Sequence, residues 1–435
     1  MKTDLSDSDF PNRRDFLKGS SIAAMMALMG GVEITGQEVN KVLAVPKADP
    51  NFKEKPPGPP VNLGVIGLGT WGKELVATAS RLPNGPVIAV CDTYSTSLRR
   101  ASEVAPNASK HQDYREILDN KEVQGVIVAT PTHQHHDIVV AALQAGKHVY
   151  CEAPMAASIE DARKIAQAAK DHPKLIFQAG QQARANPQHH HVLNFARAGA
   201  MGRNVLARGQ WHKKQSWRRA SPNPEREEAL NWRLNKEIST GLIGEIGIHQ
   251  LDVVNWFFGK MPVSVTGFGS LLWWTDGRQI PDTIQAVLEY PDGLRSVYDC
   301  TIGNSFDSTY DVFYGTDAAM MIRENKAWMF KEVDSPLLGW EVYARKEEFF
   351  SETGIMLVAN ATKLLAQGKK PAEGAADTDA PHKYSLQQFV DNINEQKAPG
   401  CGYAEGYSAA VVAIKSNEAI VKNQKITFQP EWFTI

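Results

Sequence analysis

The sequence predicts an α/β fold, a doubly wound parallel sheet, followed by an α+β half built on a largely antiparallel open sheet. Three observations carry that expectation: short apolar runs alternating with helical patterns up to about residue 180, closely spaced strand-like runs beyond it, and an Asp-Gly turn between two of those later runs. In the first half, residues 61–66, 87–91, 126–129, 148–151 and 175–179 read as buried parallel strands with crossover helices between them. One helix start is explicit, because Ser158-Ile159-Glu160-Asp161 resembles a capping box ahead of residues 162–169. In the second half, strand-like runs fall at 205–211, 263–274, 284–290, 294–300 and 318–322, and Pro291-Asp292-Gly293 between Tyr290 and Leu294 marks a hairpin. Residues 404–422 space their apolar side chains helically, which predicts a last helix packed on the body.

A chain of 435 residues suits two domains, and 43% hydrophobic with 22% charged residues is the balance of a soluble globular protein. The formal net charge of -2 supplies no bulk field for nucleic acid or an anionic membrane, so nucleic acid is not an expected partner. Cys91, Cys151, Cys300 and Cys401 form no C-x-x-C pair and no Cys/His cluster at zinc spacing, so no metal is expected; Cys91 and Cys151 end apolar runs and are expected to be buried, inert thiols. Residues 1–35 read as a targeting segment: Asn12-Arg13-Arg14-Asp15-Phe16-Leu17-Lys18 precedes a weakly hydrophobic stretch, 19–29, that is too short to span a bilayer stably. Paired arginines in this setting resemble a twin-arginine signal, which predicts a periplasmic or exported protein and the twin-arginine export machinery as a partner. No clean Ala-x-Ala site follows, which leaves an uncleaved signal open. Residues 36–60 become polar and then proline-rich, a linker, so the expected domains are 61–181 and 182–435.

Gly67-Leu68-Gly69-Thr70-Trp71-Gly72 follows the first strand and opens a helix, the context that gives a G-x-G-x-x-G motif its meaning. Its glycines make the tight turn, admit a pyrophosphate to the backbone and bring helix against strand, while helix N-terminal amides face the phosphates. Asp92 ends the second strand, where a carboxylate accepts the hydrogen bonds of the adenosine ribose. The first domain is therefore expected to be Rossmann-type and to bind NAD through Gly67, Gly69, Thr70, Trp71, Gly72 and Asp92. NADP is the second choice, since a 2'-phosphate would face Asp92 and the nearby Arg99 and Arg100 read better as a solvated helix face.

Further on, Thr130-Pro131-Thr132-His133-Gln134-His135, then Gly146-Lys147-His148-Val149 and Glu152-Ala153-Pro154, resemble the Gfo/Idh/MocA family of sugar and polyol oxidoreductases. The resemblance covers about residue 61 to the C-terminus. It implies an open-sheet second domain, substrate meeting nicotinamide at the domain junction, a carbohydrate substrate and homo-oligomers formed through the open sheets. It carries cofactor contacts onto Thr130, Pro131, His135 and Glu152. One position departs: the family's E-K-P lysine is Ala153 here, which removes a cation from beside nicotinamide and substrate. Lys213, Lys214 and Lys236 are replacement candidates by domain alone. A metal at His133, His135 and His136 is not expected, because no carboxylate or cysteine is spaced to complete it.

The stretch 240–256 looks like the family's glycine-rich D-x-x-x-H helix, with Glu245 in place of the usual Asp. Helical spacing puts Glu245, His249 and Asp252 on one face. A carboxylate one turn from an imidazole raises its basicity, so His249 with Glu245 is the expected acid/base pair. Arg184, Asp252 and Trp232 are expected at the substrate, the tryptophan through its face against sugar C–H groups. Trp211, Trp217, Trp273 and Trp274 read more readily as packing, the run 212–219 as a solvated basic loop, and Asp282 equally as substrate contact or strand cap. Three functions fit: net oxidation of a sugar, polyol or glycoside with tightly bound NAD; redox-neutral glycoside cleavage through a transient keto-sugar; and a sugar-binding or assembly protein that kept the fold without turnover.

Overall fold

The computed structural model describes residues 56–336, 345–349, 352–359 and 379–435. The expected twin-arginine segment and most of the expected linker lie outside them.

The first half alternates β1 Leu63–Ile66, α1 Thr70–Ala79, β2 Val87–Cys91, α2 Ser95–Ala101, β3 Ser109–His111, α3 Tyr114–Asp119, β4 Gly125–Val128, α4 His135–Gln144, β5 His148–Cys151, α5 Ile159–Asp171 and β6 Phe177–Ala179. The six strands form one parallel sheet in the order β3-β2-β1-β4-β5-β6, the doubly wound Rossmann arrangement. β1 and β4 are buried along their whole length, as continuous apolar runs require when helices cover both faces. β3 was not anticipated: Ser-Lys-His is polar and short, and pairs with β2 only at the sheet edge. The start of α5 is as the sequence indicated, with Ser158 Oγ accepting from Asp161 N at 3.1 Å.

Beyond it follow α6 Pro187–Arg197, β7 Asn204–His212, α7 Pro224–Leu230, a π-helical turn Ile243–Gly247 running into α8 Ile248–Phe258, β8 Ser264–Ser270, β9 Thr283–Glu289, β10 Arg295–Thr301, β11 Thr309–Gly315, β12 Ala318–Arg323, β13 Lys326–Lys331, β14 Lys346–Phe349, β15 Glu352–Leu357, α9 Pro381–Glu395, α10 Tyr403–Lys422 and β16 Ile426–Thr427. The pairs β8–β9, β9–β10, β11–β12, β12–β13, β13–β15, β14–β15 and β8–β16 are antiparallel. The hairpin forms between β9 and β10, with Asp292 and Gly293 both at positive φ. The expected strand 263–274 stops at Ser270. Buried Asp282 accepts the N–H groups of Leu272, Trp273 and Trp274 at 2.7–3.1 Å and curls the chain away from the ladder.

Internal contacts gather the described residues into two units: 56–186 with 209–309 and 379–435, and 187–208 with 310–336, 345–349 and 352–359. In the first, the C-terminal helices return to the nucleotide-binding half. Leu386, Phe389 and Val390 of α9 join the core beneath one face of the parallel sheet, and Tyr407, Ala410 and Val411 of α10 join the core of the other. That return is why a linear boundary at 181/182 does not describe the packing. In the second, β12 pairs with β11 and β13, and β15 pairs with β13 and β14. Of these strands the sequence indicated only β12.

Candidate active site

A crevice of about 810 Å³ opens at the C-terminal ends of β1, β2 and β4, where a doubly wound sheet receives its ligand. One wall is the glycine turn and the ends of β2 and β4. The other comes from residues 219–233 of the same compact unit.

At the glycine turn, shape rather than charge does the selecting. Gly67 has φ +93, and a Cβ there would lie 2.7 Å from the Ala129 carbonyl; a Cβ on Gly72 would lie 1.9 Å from Gly67 O. Around Gly69 a Cβ would meet nothing within 4 Å, so the backbone is open toward the crevice at the position a pyrophosphate approaches. Asp92 fastens β2 to this turn, its two oxygens accepting from Leu68 N at 2.9 Å and Tyr94 N at 2.8 Å. The Thr130 hydroxyl is buried with no partner among the described residues. An open glycine cradle, a carboxylate at the end of β2 and an unmet hydroxyl fit a dinucleotide.

Of the residues singled out from sequence, Gly67, Gly69, Thr70, Trp71, Gly72, Asp92, Thr130, Pro131 and Trp232 line this one crevice. Arg99 and Arg100 are exposed on α2 and do not.

His135 is a tie rather than a lining residue. Its ring nitrogens lie 2.9 Å from the Thr130 carbonyl and 3.0 Å from the Pro154 carbonyl, and burial pushes its pKa down to about 4, so the neutral ring donates to one of the two. Its neighbours face other partners, His136 pairing with Asp137 and His133 stacking edge-on with Trp232 at 5.8 Å. Glu152 is also behind the wall. Burial raises its carboxyl to about 7, and Oε1 has no partner among the described residues.

The expected Glu245–His249 pair is not formed. Glu245 is buried and its carboxylate takes the Thr240 hydroxyl at 2.7 Å, the Thr132 hydroxyl at 3.3 Å and the Arg233 guanidinium at 3.3 Å. Glu245 sits in the π-helical turn, whose i→i+5 bonds break the 3.6-residue register on which the one-face expectation rested. His249 makes no hydrogen bond or ion pair among the described residues, and burial pushes its pKa down to about 4, leaving a neutral imidazole. Asp252 and Arg184, expected at substrate, hold each other instead: Nε to Oδ2 is 2.8 Å and Nη2 to Oδ1 is 2.9 Å. Burial raises the Asp252 carboxyl while Arg184 opposes the rise. This bidentate pair ties the chain just after β6 to α8 and lies outside the crevice lining.

The three candidate lysines do not line the crevice either. Lys214 lies over the Trp273 ring at 4.6 Å and Lys236 reaches Glu237 at 3.9 Å. The cation that sequence reasoning missed is Arg233. It lines the crevice, lies 4.4 Å over the Trp232 ring and is ion-paired with Glu245. Its side chain is 45% exposed, so charge remains available to a ligand. No motif marks it; only the Arg that follows Trp232, itself an expected substrate residue, could have drawn notice.

A family model described as "Oxidoreductase family, NAD-binding Rossmann fold" matches residues 61–180, and one for the "GFO/IDH/MocA C-terminal domain" matches 189–320. An inositol 2-dehydrogenase of Salmonella paratyphi B is 27% identical over 83% of this chain and 94% of its own length. A 2,7-anhydro-N-acetylneuraminate hydratase of Escherichia coli K12 is 28% identical over 60% of this chain and 67% of its own. Among solved structures, a levoglucosan dehydrogenase in complex with NADH and L-sorbose superposes with a TM-score of 0.68 at 20% identity, over 85% of this chain and 99% of that one.

Proposed function

The chain belongs to the Gfo/Idh/MocA oxidoreductase family, and from that premise we propose that it is an exported enzyme that oxidises a carbon of a sugar, polyol or glycoside with an NAD it does not release between turnovers. The observation that carries the reading is that the glycine turn and the Trp232–Arg233 pair wall a single crevice. Bound NAD supplies the hydride acceptor there. The proton of the substrate hydroxyl is assigned to His249 on the resemblance of stretch 240–256 to the family's helix, although His249 is not among the residues that line the crevice; burial keeps it neutral and able to accept a proton down to about pH 4. Glu245 holds the Nε of Arg233, leaving the terminal guanidinium N–H groups to stabilise negative charge on the reacting oxygen. Trp232 offers an aromatic face to a sugar ring.

Export follows from Arg13-Arg14 and the stretch after them. Outside the cytoplasm no free NAD pool resets the cofactor, so turnover must return the hydride it takes. That favours a second, related reading: transient oxidation of a ring carbon acidifies its neighbour and permits elimination of the aglycone, water then adds across the double bond so formed, and the hydride returns to the ketone. The hydratase relative supports it, since hydration is redox-neutral, as does Ala153 in place of the family's lysine. Exposed Phe268, Leu272, Trp273 and Phe306 give one side of the β8–β10 region an apolar surface that a second copy of the chain would cover. Light scattering on the purified protein checks that association.

The central test is to purify the mature protein from the periplasm, denature it and analyse the supernatant for dinucleotide. Stoichiometric NAD is expected; none would overturn the reading. Release of free sugar from a glycoside panel without net change in nicotinamide absorbance separates the redox-neutral cycle from net dehydrogenation.

A further inference from the structure

Residues 219–233 cross the crevice from its nucleotide end to its reacting end, and the function proposed above uses only the last two of them. At the nucleotide end, the Arg226 guanidinium lies 3.8 Å from the Tyr94 ring centroid. Tyr94 is the residue whose N–H is held by Asp92, two positions past the expected ribose carboxylate. Arg226 lines the crevice, and its Nε is buried with no hydrogen-bond partner among the described residues. A buried N–H without an acceptor is costly, and the cost disappears when a ligand supplies one.

The segment is braced against itself. Asn223 caps α7 by accepting from Arg226 N at 3.0 Å. Asn231 exchanges bonds with the Arg219 backbone at 2.7 and 3.0 Å and also reaches Glu227, which pairs with Arg218. It is tethered at its middle by the Arg226–Tyr94 stack and at its C-terminal end by the His133–Trp232 and Arg233–Glu245 contacts. A segment with this many fixed points is a built wall rather than a loop resting on the surface.

We propose that this strap is part of the cofactor site, that Arg226 stacked on Tyr94 binds the adenosine half of the dinucleotide, and that this contact is what keeps the nucleotide from leaving. The inference rests on the reading above that NAD stays bound through turnover. A planar guanidinium on an aromatic ring offers a flat, cationic surface to a purine, and the orphaned Nε–H offers a donor to an adenosine oxygen or nitrogen.

The test uses the full-length protein carrying its bound nucleotide, mixed with an excess of isotopically labelled NAD, with exchange followed by mass spectrometry of released nucleotide. Exchange by the wild-type protein is expected to be slow against its turnover. Arg226→Ala should speed exchange by about ten-fold, the scale of a lost cation–π contact with a desolvated hydrogen bond. Arg226→Lys, which keeps the charge and loses the plane, should fall between them. Nicotinamide mononucleotide, which lacks adenosine, should bind stripped wild-type and Arg226→Ala proteins equally. Equal exchange rates in wild type and Arg226→Ala, or a parallel loss of mononucleotide binding, would overturn the assignment of Arg226 while leaving the proposed function standing. Failure of the wild-type protein to bind any dinucleotide would overturn both. Thermal unfolding of each variant confirms that folded proteins are being compared.

Discussion

The nucleotide end and the reacting end of the crevice are made of different material. At the glycine turn the ligand surface is main chain, shaped by missing Cβ atoms at Gly67 and Gly72 and fastened by Asp92. At the other end it is side chain, Trp232 and Arg233, with Arg233 held from behind by the buried Glu245, which also takes the Thr132 hydroxyl from more than a hundred residues earlier in the chain. The first kind of surface is set by local backbone geometry and tolerates no substitution. The second is a network of side-chain contacts, in which Glu245 holds both Arg233 and the Thr132 hydroxyl.

That contrast is sharpest at Gly72. A methyl group there would sit 1.9 Å from the Gly67 carbonyl, so Gly72→Ala must open the turn. The variant is expected to purify without nucleotide and with no measurable activity, losing about 1–3 kcal/mol of stability; nucleotide at wild-type occupancy would show that the turn is not the cradle. If His249 takes the hydroxyl proton, His249→Ala should keep the nucleotide while kcat falls by ~10²–10⁴. Because burial depresses His249 to about 4, the acid limb of the wild-type kcat profile attributable to it should fall near pH 4 rather than near 6.5. An unchanged kcat in the variant would remove the histidine from the mechanism. Arg233→Ala should cost ~10²–10³ in kcat, the range for one lost stabilising donor, again with nucleotide retained. Restoration by Ala153→Lys in the Arg233→Ala background would show that the two positions supply one interchangeable charge.

The smallest expected effect lies between the two ends, at Glu152. Its carboxyl is raised to about 7 when folded against 4.5 for the ordinary group, so the folded state holds a proton that the unfolded state gives up. Stability drawn from this group is therefore intact below about pH 4.5 and lost as pH rises toward 7. Glu152→Gln removes the titration, and the variant should gain on the wild type by a few degrees in Tm between pH 5 and pH 8. A constant difference across that range would mean the carboxyl is not perturbed.

The same divide governs what could be read from the chain alone. Five of the six parallel strands announced themselves as apolar runs, and the glycine turn, Asp92, Thr130 and Pro131 fell into one crevice, because each depends on a few neighbouring residues. β3 escaped because an edge strand needs no apolar pattern. The pairing of Glu245 with His249 was misjudged because a π-helical turn cannot be told from an α-helical one by spacing, and Arg184 with Asp252 because nothing local says that two charged residues will satisfy each other. Arg226 and Arg233 lie in an ordinary polar stretch whose role appears only when it is laid across a distant turn.

The four cysteines are all buried as free thiols. Burial, helped by Asp92 at the first, raises Cys91 and Cys300 to about 12 and Cys151 and Cys401 well above their ordinary value, so none presents a thiolate. Such a molecule completes its architecture without an oxidant and offers none of these sulfurs for cross-linking afterwards. The described fold is thus closed by packing and hydrogen bonding alone, with no disulfide in it.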